Sequence, residues 1–311
     1  MAGEIGGVVA PKAREWKIAW GPAVWITVMH LGAVAAPFFF SWSGLIAFLV
    51  LYVLTGLGIT LGYHRLLTHR SFHTAKWAEY FWAVCGVLAN ESGPLQWAAN
   101  HRRHHTHSDE LDDPHSPRHG FWWSHFGWLY REDPISLRPD QGFYNVKDLV
   151  RDPVLVFMQR YHWAFPLLLA ATLFGVGFAV DGLTFGLSLV LWGVFVRTVW
   201  VYHVTWLVNS ATHVWGYKNF KTTDDSKNLW WVAALSFGEG WHNNHHAHQR
   251  SARHGLRWWE FDPTYYLIRL MAWVGLARDI HVAPAPKAKP GSRKSVWRIL
   301  WPKKGRRMVR R

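Results

Sequence analysis

Four long stretches that are almost free of charge dominate the hydrophobic pattern of this chain. Residues 18–40 and 45–62 contain no Asp, Glu, Lys or Arg and are separated by a short "SWSG" turn. A second pair, residues 163–180 and 183–208, is separated by a "DG" dipeptide. About 20 apolar residues in a helix cross the hydrocarbon layer of a bilayer. The pattern therefore predicts an all-α integral membrane protein with four transmembrane helices in two hairpins.

A short apolar segment and a charged residue within a span need separate explanations. Residues 77–88 are apolar but too few to span a bilayer, so we expect an interfacial or re-entrant helix there rather than a fifth span. Arg197 lies within the fourth stretch, where a charge facing lipid is costly. We expect its side chain near the inner interface or facing the protein interior.

Charge gives the orientation. The formal net charge is +14, and residues 282–311 alone hold eleven Lys or Arg and no acid. The two hairpin turns lack Lys and Arg, whereas residues 63–162 and both termini carry nearly all of them, which predicts cytoplasmic termini and a multi-pass protein, as in a bacterial inner membrane. We divide the chain into a cytosolic N-terminal segment (1–17), a membrane domain (18–280) and a basic cytosolic tail (281–311). The tail suits an anionic membrane surface, and no nucleic-acid-binding signature accompanies it.

Histidine spacing provides the candidate chemistry. "HRRHH" (101–105) recurs as "HNNHH" (242–246), and on a helix the three imidazoles of each triplet share one face within about 100°. Neutral imidazole is the commonest metal ligand. Two spans separate the triplets, so both lie on the same side of the membrane and can form one site in a cytosolic helical cap. The six histidines are His101, His104, His105, His242, His245 and His246.

Three more histidines occur where spans leave the membrane. His64 and His69 are five residues apart, so both reach one site only if the helix ends or distorts there. Asn209 and His213, in "NSATH", lie four apart on one helix face. Nine histidines exceed what one ion can take, so the sequence predicts two metal ions.

The other histidines and the aromatic run carry weaker signals. We expect the isolated histidines to be structural or interfacial, and those flanking the triplets to be outer groups or surface residues. The aromatic residues of "GFWWSHFGWL" are more typical of an interfacial belt than of a substrate pocket. The isolated histidines are His30, His162, His203 and His281, and the flanking ones are His73, His107, His115, His119, His125, His248 and His254.

The available ligand types and their number narrow the choice of metal ion. Cys85 is the only cysteine, which excludes intrachain disulfides and thiolate metal sites, and we expect it to be a buried small residue. Zinc sites rarely take more than four ligands, whereas iron accepts more nitrogen ligands. Two irons beside a membrane suggest dioxygen-dependent oxidation of an inert C–H bond in a lipid chain.

Several segments of the sequence resemble the motifs of a known protein family. "HRLLTHRSF", "HRRHH", "NSATH" and "GEGWHNNHH" resemble the histidine boxes of the membrane fatty acid desaturases, and "DPHSPRHGFWWSHFGW" and "HNNHHAHQRSARHG" are similar to the delta-9 group, especially its bacterial and cyanobacterial acyl-lipid type. The similarity covers about residues 56–279, and this ordered set of boxes is highly specific.

The resemblance implies four transmembrane helices under a cytosolic cap, with a bent acyl tunnel running past two non-heme irons. It implies that dioxygen and two electrons introduce a cis double bond into a saturated acyl chain. Carried over by motif, Asn209 would contact a metal through water and Trp206 would line the bend of the tunnel. The iron ligands would be His64, His69, His101, His104, His105, His213, His242, His245 and His246.

Substrate and partner remain open in the sequence. "GPLQWAAN", with Ala98 and Ala99, lacks the polar and charged residues that help hold coenzyme A in the animal acyl-CoA enzymes, which favours acyl chains on glycerolipids over acyl-CoA. The chain has no fused cytochrome segment, so electrons would come from a separate ferredoxin or b5-type cytochrome. A related di-iron hydroxylase or ketolase, and a non-catalytic zinc-binding membrane protein or metal transporter, are the alternatives.

Overall fold

The computed structural model describes residues 17–110, 112–133 and 143–286. The predicted N-terminal segment (1–17) and basic tail (281–311) lie almost wholly outside these residues. The described chain is mostly helical. In chain order the helices are α1 (Trp20–Ala35), α2 (Trp42–Leu57), α3 (Lys76–Val87), α4 (Pro94–His107), α5 (Phe121–His125), α6 (Lys147–Val150), α7 (Pro153–Tyr161), α8 (Ala164–Val190), α9 (Arg197–Val214), α10 (Trp230–Leu235), α11 (His242–Ala247) and α12 (Pro263–Trp273).

Three helices of the described chain are long and apolar enough to cross a membrane: Trp20–Phe39, Trp42–Thr68 and Ala164–Val214. The second begins where the Ser41 hydroxyl accepts a hydrogen bond from the Gly44 backbone N–H at 3.0 Å, which satisfies one free donor of the first turn. The first two coincide with the first predicted hairpin.

The third long helix contains both stretches of the second predicted hairpin. Its backbone leaves helical geometry at the "DG" dipeptide, where Gly182 has φ of 73°. Phe174 packs against Gly186, and Leu173 packs against Gly193. These contacts require the chain to reverse direction, so Ala164–Val214 is itself a helical hairpin. That it crosses the membrane twice stays a prediction.

A π-helix, Gly58–Thr68, continues α2 and carries His64. The backbone N–H of His69 donates to the His64 carbonyl, five residues back, at 3.0 Å. This wider turn brings residues 64 and 69 to the same side, whereas a regular α-helix would separate them. The predicted distortion is confirmed.

Helix α3 packs against the π-helix and is not among the helices long enough to span a membrane, as predicted. Cys85 on its inner face is buried, as expected. Arg197 is fully buried and donates hydrogen bonds to the carbonyls of Leu88 and Gly193, which confirms that it faces the protein interior. A two-stranded antiparallel sheet, β1 (His73–Thr74) with β2 (Ala277–Arg278), ties the end of the described chain to the region after the π-helix.

Candidate metal centre and adjoining cavity

The nine predicted histidines converge in two groups, and within each group one ring nitrogen of every histidine lies within 4.8 Å of those of the others. The π-helix and the residue that ends it supply His64 and His69, α4 and α11 supply one triplet each, and α9 supplies His213. Each triplet contributes to both groups. The five-histidine group is His64, His69, His101, His105 and His245, and the four-histidine group is His104, His213, His242 and His246.

Ring nitrogens face one another within each group. In the five-histidine group the Nε2 atoms of His64 and His245 lie 3.1 Å apart, and those of His105 and His245 lie 2.8 Å apart. In the four-histidine group the Nε2 atoms of His213 and His242 lie 3.1 Å apart. This is the spacing of donor atoms that point at a common centre.

Carboxylates hold the opposite ring nitrogens. Nδ1 of His64 lies 2.8 Å from Glu239. Nδ1 of His246 lies 2.9 Å from Asp224. A carboxylate keeps the proton on Nδ1 and leaves a lone pair on Nε2, so the facing Nε2 atoms repel unless a cation lies between them. The residues therefore fit metal ions bound by both groups.

Burial keeps five of the nine histidines in the neutral form that binds a metal. Desolvation disfavours imidazolium, and neighbouring histidines add to the effect, so the pKa of several ring nitrogens lies well below the ordinary histidine value. The neutral ring is the ligand form. These residues are His69, His101, His105, His242 and His245.

The supporting carboxyl groups stay ionised. Burial alone would raise the pKa of Glu239, but His64, His254 and Arg65 hold that pKa well below the ordinary value. Burial likewise opposes ionisation of Asp113, and His104 outweighs it and lowers the Asp113 pKa. The negative charges balance the positive charge that bound metal ions would bring.

Sequence reasoning missed these carboxylates. Glu239 lies three residues before His242 in "GEGWHNNHH", and Asp113 lies in "LDDPH" soon after the first triplet, so both positions carried a usable signal. Of the flanking histidines, Nδ1 of His254 lies 3.0 Å from Glu239, and the His115 ring lies 4.4 Å from that of His104.

Two asparagines hold the short helix α11 in place. Asn244 donates to Glu260 and to the His254 carbonyl, both at 2.8 Å. Asn243 accepts hydrogen bonds from the backbone N–H groups of Asn219 and Phe220 at 2.8 and 2.9 Å. A helix of six residues has little stability of its own, so these bonds fix the direction of its three histidines.

A cavity of about 430 Å³ adjoins the centre, and Trp206, Asn209 and His101 are among the residues that line it. Most of its remaining wall is apolar or aromatic, including Trp25 and Ile26 on α1. Mostly apolar walls with a few polar groups are typical of a binding site for an apolar ligand.

One further wall residue corrects the sequence interpretation. Trp128, from the aromatic run predicted as an interfacial belt, lines the cavity beside Leu129, so the belt interpretation is wrong for Trp128, whereas Trp122 is exposed. The isolated histidines His30 and His203 bond to each other through Nε2 atoms 3.2 Å apart.

Comparison with known proteins agrees with this site. The family model for fatty acid desaturase matches residues 40–277. A sn-1 stearoyl-lipid 9-desaturase of Anabaena variabilis is 49% identical over 86% of this chain and 95% of its own. A sn-2 palmitoyl-lipid 9-desaturase of Nostoc sp. (strain 36) is 40% identical over 94% of this chain and 100% of its own. An acyl-CoA 5-desaturase of Anemone leveillei is 44% identical over 82% of this chain and 77% of its own.

The match to desaturases makes this protein an oxidoreductase, and its membrane-length helices make it a membrane protein. This chain belongs to the fatty acid desaturase family. It is a desaturase of fatty acyl chains.

Proposed function

We propose that this enzyme introduces a cis double bond at the delta-9 position of a saturated acyl chain carried on a membrane glycerolipid. The observation that carries the proposal is the contact between the five-histidine group and the apolar cavity, since His101 belongs to that group and lines the cavity. The names of the stearoyl-lipid and palmitoyl-lipid relatives support the position and the lipid carrier.

The five- and four-histidine groups would hold one iron each, and Asn209 would contact one of the irons through water. When bound, two irons supply the capacity to activate dioxygen with two external electrons. The reaction removes two hydrogens from adjacent methylenes and, with two protons and two electrons from outside, yields two waters.

The protein's own residues position the chain and exclude water. Trp206 is buried, stacks on Tyr202 with ring centroids 5.1 Å apart, and so forms a rigid part of the cavity wall. A rigid wall beside the histidines would fix which two carbons lie near the centre, and orientation of this kind supplies much of a catalytic effect. The apolar lining would keep bulk water from the reacting carbons.

We also propose the membrane arrangement. The two arms of the Ala164–Val214 hairpin would each cross, which with the first two helices would make four spans in a bacterial inner membrane. Both termini and the histidine centre would then lie on the cytoplasmic side, in agreement with the distribution of Lys and Arg.

A lipid carrier is favoured over coenzyme A by the start of α4. Ala98 and Ala99 are buried in a hydrophobic cluster with Leu95, so neither position supplies a polar group that could hold a nucleotide headgroup. Purified enzyme would be given stearoyl-phospholipid and stearoyl-CoA in separate assays. Consumption of the phospholipid chain supports the proposal, and consumption of the CoA ester alone contradicts it.

Expression in a host that lacks its own desaturase tests the reaction directly. Fatty acids would be extracted, and the double bond would be located by mass spectrometry. A cis-9 monoene in the lipid fraction supports the proposal, whereas a hydroxylated product or a different position contradicts it. The His104→Ala variant, expressed at the same level, is the negative control.

The electrons would come from a separate small acidic redox protein, a ferredoxin or a b5-type cytochrome. Residues 40–277, which match the family model, contain one cysteine, and one cysteine is too few to hold an iron–sulfur cluster. Reconstitution with each donor in turn distinguishes them, since the true donor supports turnover and the other does not.

A further inference from the structure

The two histidine groups differ in their access to the surface. His69 and His105 of the five-histidine group are partly exposed, as is His101, which lines the cavity, whereas all four members of the other group are buried. Electron transfer slows steeply with distance. Electrons from a protein bound at the surface would therefore enter most readily through the five-histidine group.

Arginine side chains surround the segment that carries His69. Arg102 donates to the carbonyls of Thr68 and Leu67 at 3.0 and 3.2 Å. Arg250 approaches the Arg70 carbonyl at 3.5 Å. These contacts place two guanidinium groups directly against the backbone on either side of His69.

Arg70 itself adds a third cation. Its φ of 51° is in the left-handed region, which a non-glycine residue adopts at a cost. Asp148 holds it there, because one carboxyl oxygen lies 3.0 Å from Arg70 Nη2 and the other lies 2.7 Å from Arg102 Nη1. Burial opposes ionisation of Asp148, but hydrogen bonds from Arg102 and Arg70 lower its pKa to about 2.

Helix α6, which supplies Asp148, also presents cations. Lys147 is exposed at its start, and the exposed Arg151 follows its end. Asp148 compensates only part of this positive charge. We call one surface the arginine rim; it is formed by Arg70, Arg102, Lys147, Arg151 and Arg250.

We propose that the arginine rim is the docking surface for a small acidic one-electron redox protein that would reduce a metal ion held by the five-histidine group. The inference rests on the proposed function, because it requires a site that consumes electrons. Two reduced donors would bind in succession, each giving up one electron and leaving oxidised. The two electrons, with two protons, balance the reduction of dioxygen to two waters as the acyl chain loses two hydrogens.

Charge complementarity selects this partner. Opposite charges on two surfaces raise the association rate and fix the orientation of docking, and redox complexes are small and transient. Such binding weakens as salt is added, because exposed charges are screened.

The test uses full-length enzyme in nanodiscs of neutral lipid and reduced [2Fe–2S] ferredoxin as the probe. The variants are Lys147→Glu, Arg250→Glu and their double variant. The matched control is Arg118→Glu, whose side chain is 57% exposed and lies near Asp225, on the side of the four-histidine group. Binding is measured by surface plasmon resonance at low and physiological salt, independently of turnover.

The expected result is that the double variant weakens ferredoxin binding roughly tenfold at low salt and reduces its salt dependence, while the control stays within about twofold of wild type. Equal weakening by the control, or unchanged binding by the double variant, would overturn the proposal. So would a double variant that binds ferredoxin normally but loses affinity for anionic lipid vesicles. Dithionite-driven product formation by the wild type tests the proposed function separately, since it needs no protein donor.

Discussion

His104 and His246 point the same ring atom at each other, with their Nε2 atoms 3.3 Å apart. Nδ1 of each ring lies 2.9 Å from a carboxylate, Asp113 for His104 and Asp224 for His246. In the neutral rings these carboxylates favour the proton on Nδ1, and neither facing nitrogen of such a pair can donate to the other. The pair is stable in this arrangement when a cation occupies the space in front of both lone pairs, which is why the carboxylates belong to the functional site.

Asp113→Asn tests the supporting carboxylate. The amide keeps the size of the side chain but loses the negative charge that fixes the His104 tautomer. We expect metal affinity or activity to fall by roughly 10- to 100-fold. Metal titration of the purified variant measures this. Asp279→Asn, at a carboxyl that is 66% exposed, is the control and should behave like wild type; equal losses in both variants would contradict the role of Asp113.

Gly58→Ala tests the packing that supports the π-helix. An added methyl group would lie 2.3 Å from the backbone of Cys85 and Gly86, so α3 and the π-helix must separate. We expect a loss of about 1–3 kcal/mol in stability together with reduced metal binding. Thermal unfolding and metal content are the measurements. Gly21→Ala, where nothing lies within 4 Å, should leave metal binding unchanged.

We expect the stability of the protein to depend on pH through Glu91. Burial raises the pKa of this carboxyl to about 7, against hydrogen bonds from Thr205 and Trp97 that lower it, and the residue lines the cavity. A raised carboxyl pKa means that the folded state holds the proton more tightly. Its stabilising contribution is complete below about pH 4.3 and is lost as the pH rises to about 7.

The same group should affect substrate binding. Above pH 7 an acyl chain must desolvate a carboxylate, so we expect KM for the acyl substrate to rise with pH while Glu91→Gln stays flat. Gln keeps the size and accepts the same hydrogen bonds. Glu110→Gln, at a side chain that is 64% exposed, is the control. A wild-type KM that does not change between pH 6 and 8.5 would rule out this effect.

Trp206 predicts the position of the double bond. Trp206→Phe should retain the fold and broaden the products to neighbouring positions, because a smaller ring lets the chain move along the cavity. Trp206→Ala should cost about 3–5 kcal/mol of stability as well. Product analysis by mass spectrometry measures the positions. A single unchanged position in Trp206→Phe would contradict the assignment, and Trp215→Ala, at an exposed residue, is the control.

Much of this site was accessible to local reasoning. The five-residue spacing of His64 and His69 required a distorted helix, and the π-helix is that distortion. The division of each triplet between two groups could not be predicted from the sequence, because it depends on how α4 and α11 approach each other. Asp224 illustrates the same limit, since it lies 22 residues before His246 and only the fold brings them together.

Iron per chain is the measurement that tests the central claim most directly. The full-length protein would be expressed in iron-supplemented medium, purified without chelator and assayed by mass spectrometry for bound metals. The account predicts two irons in the wild type, and loss of iron in both His245→Ala, from the five-histidine group, and His104→Ala, from the four-histidine group. The exposed His73→Ala is the control. Two zincs without iron, or two irons retained in both variants, would contradict it.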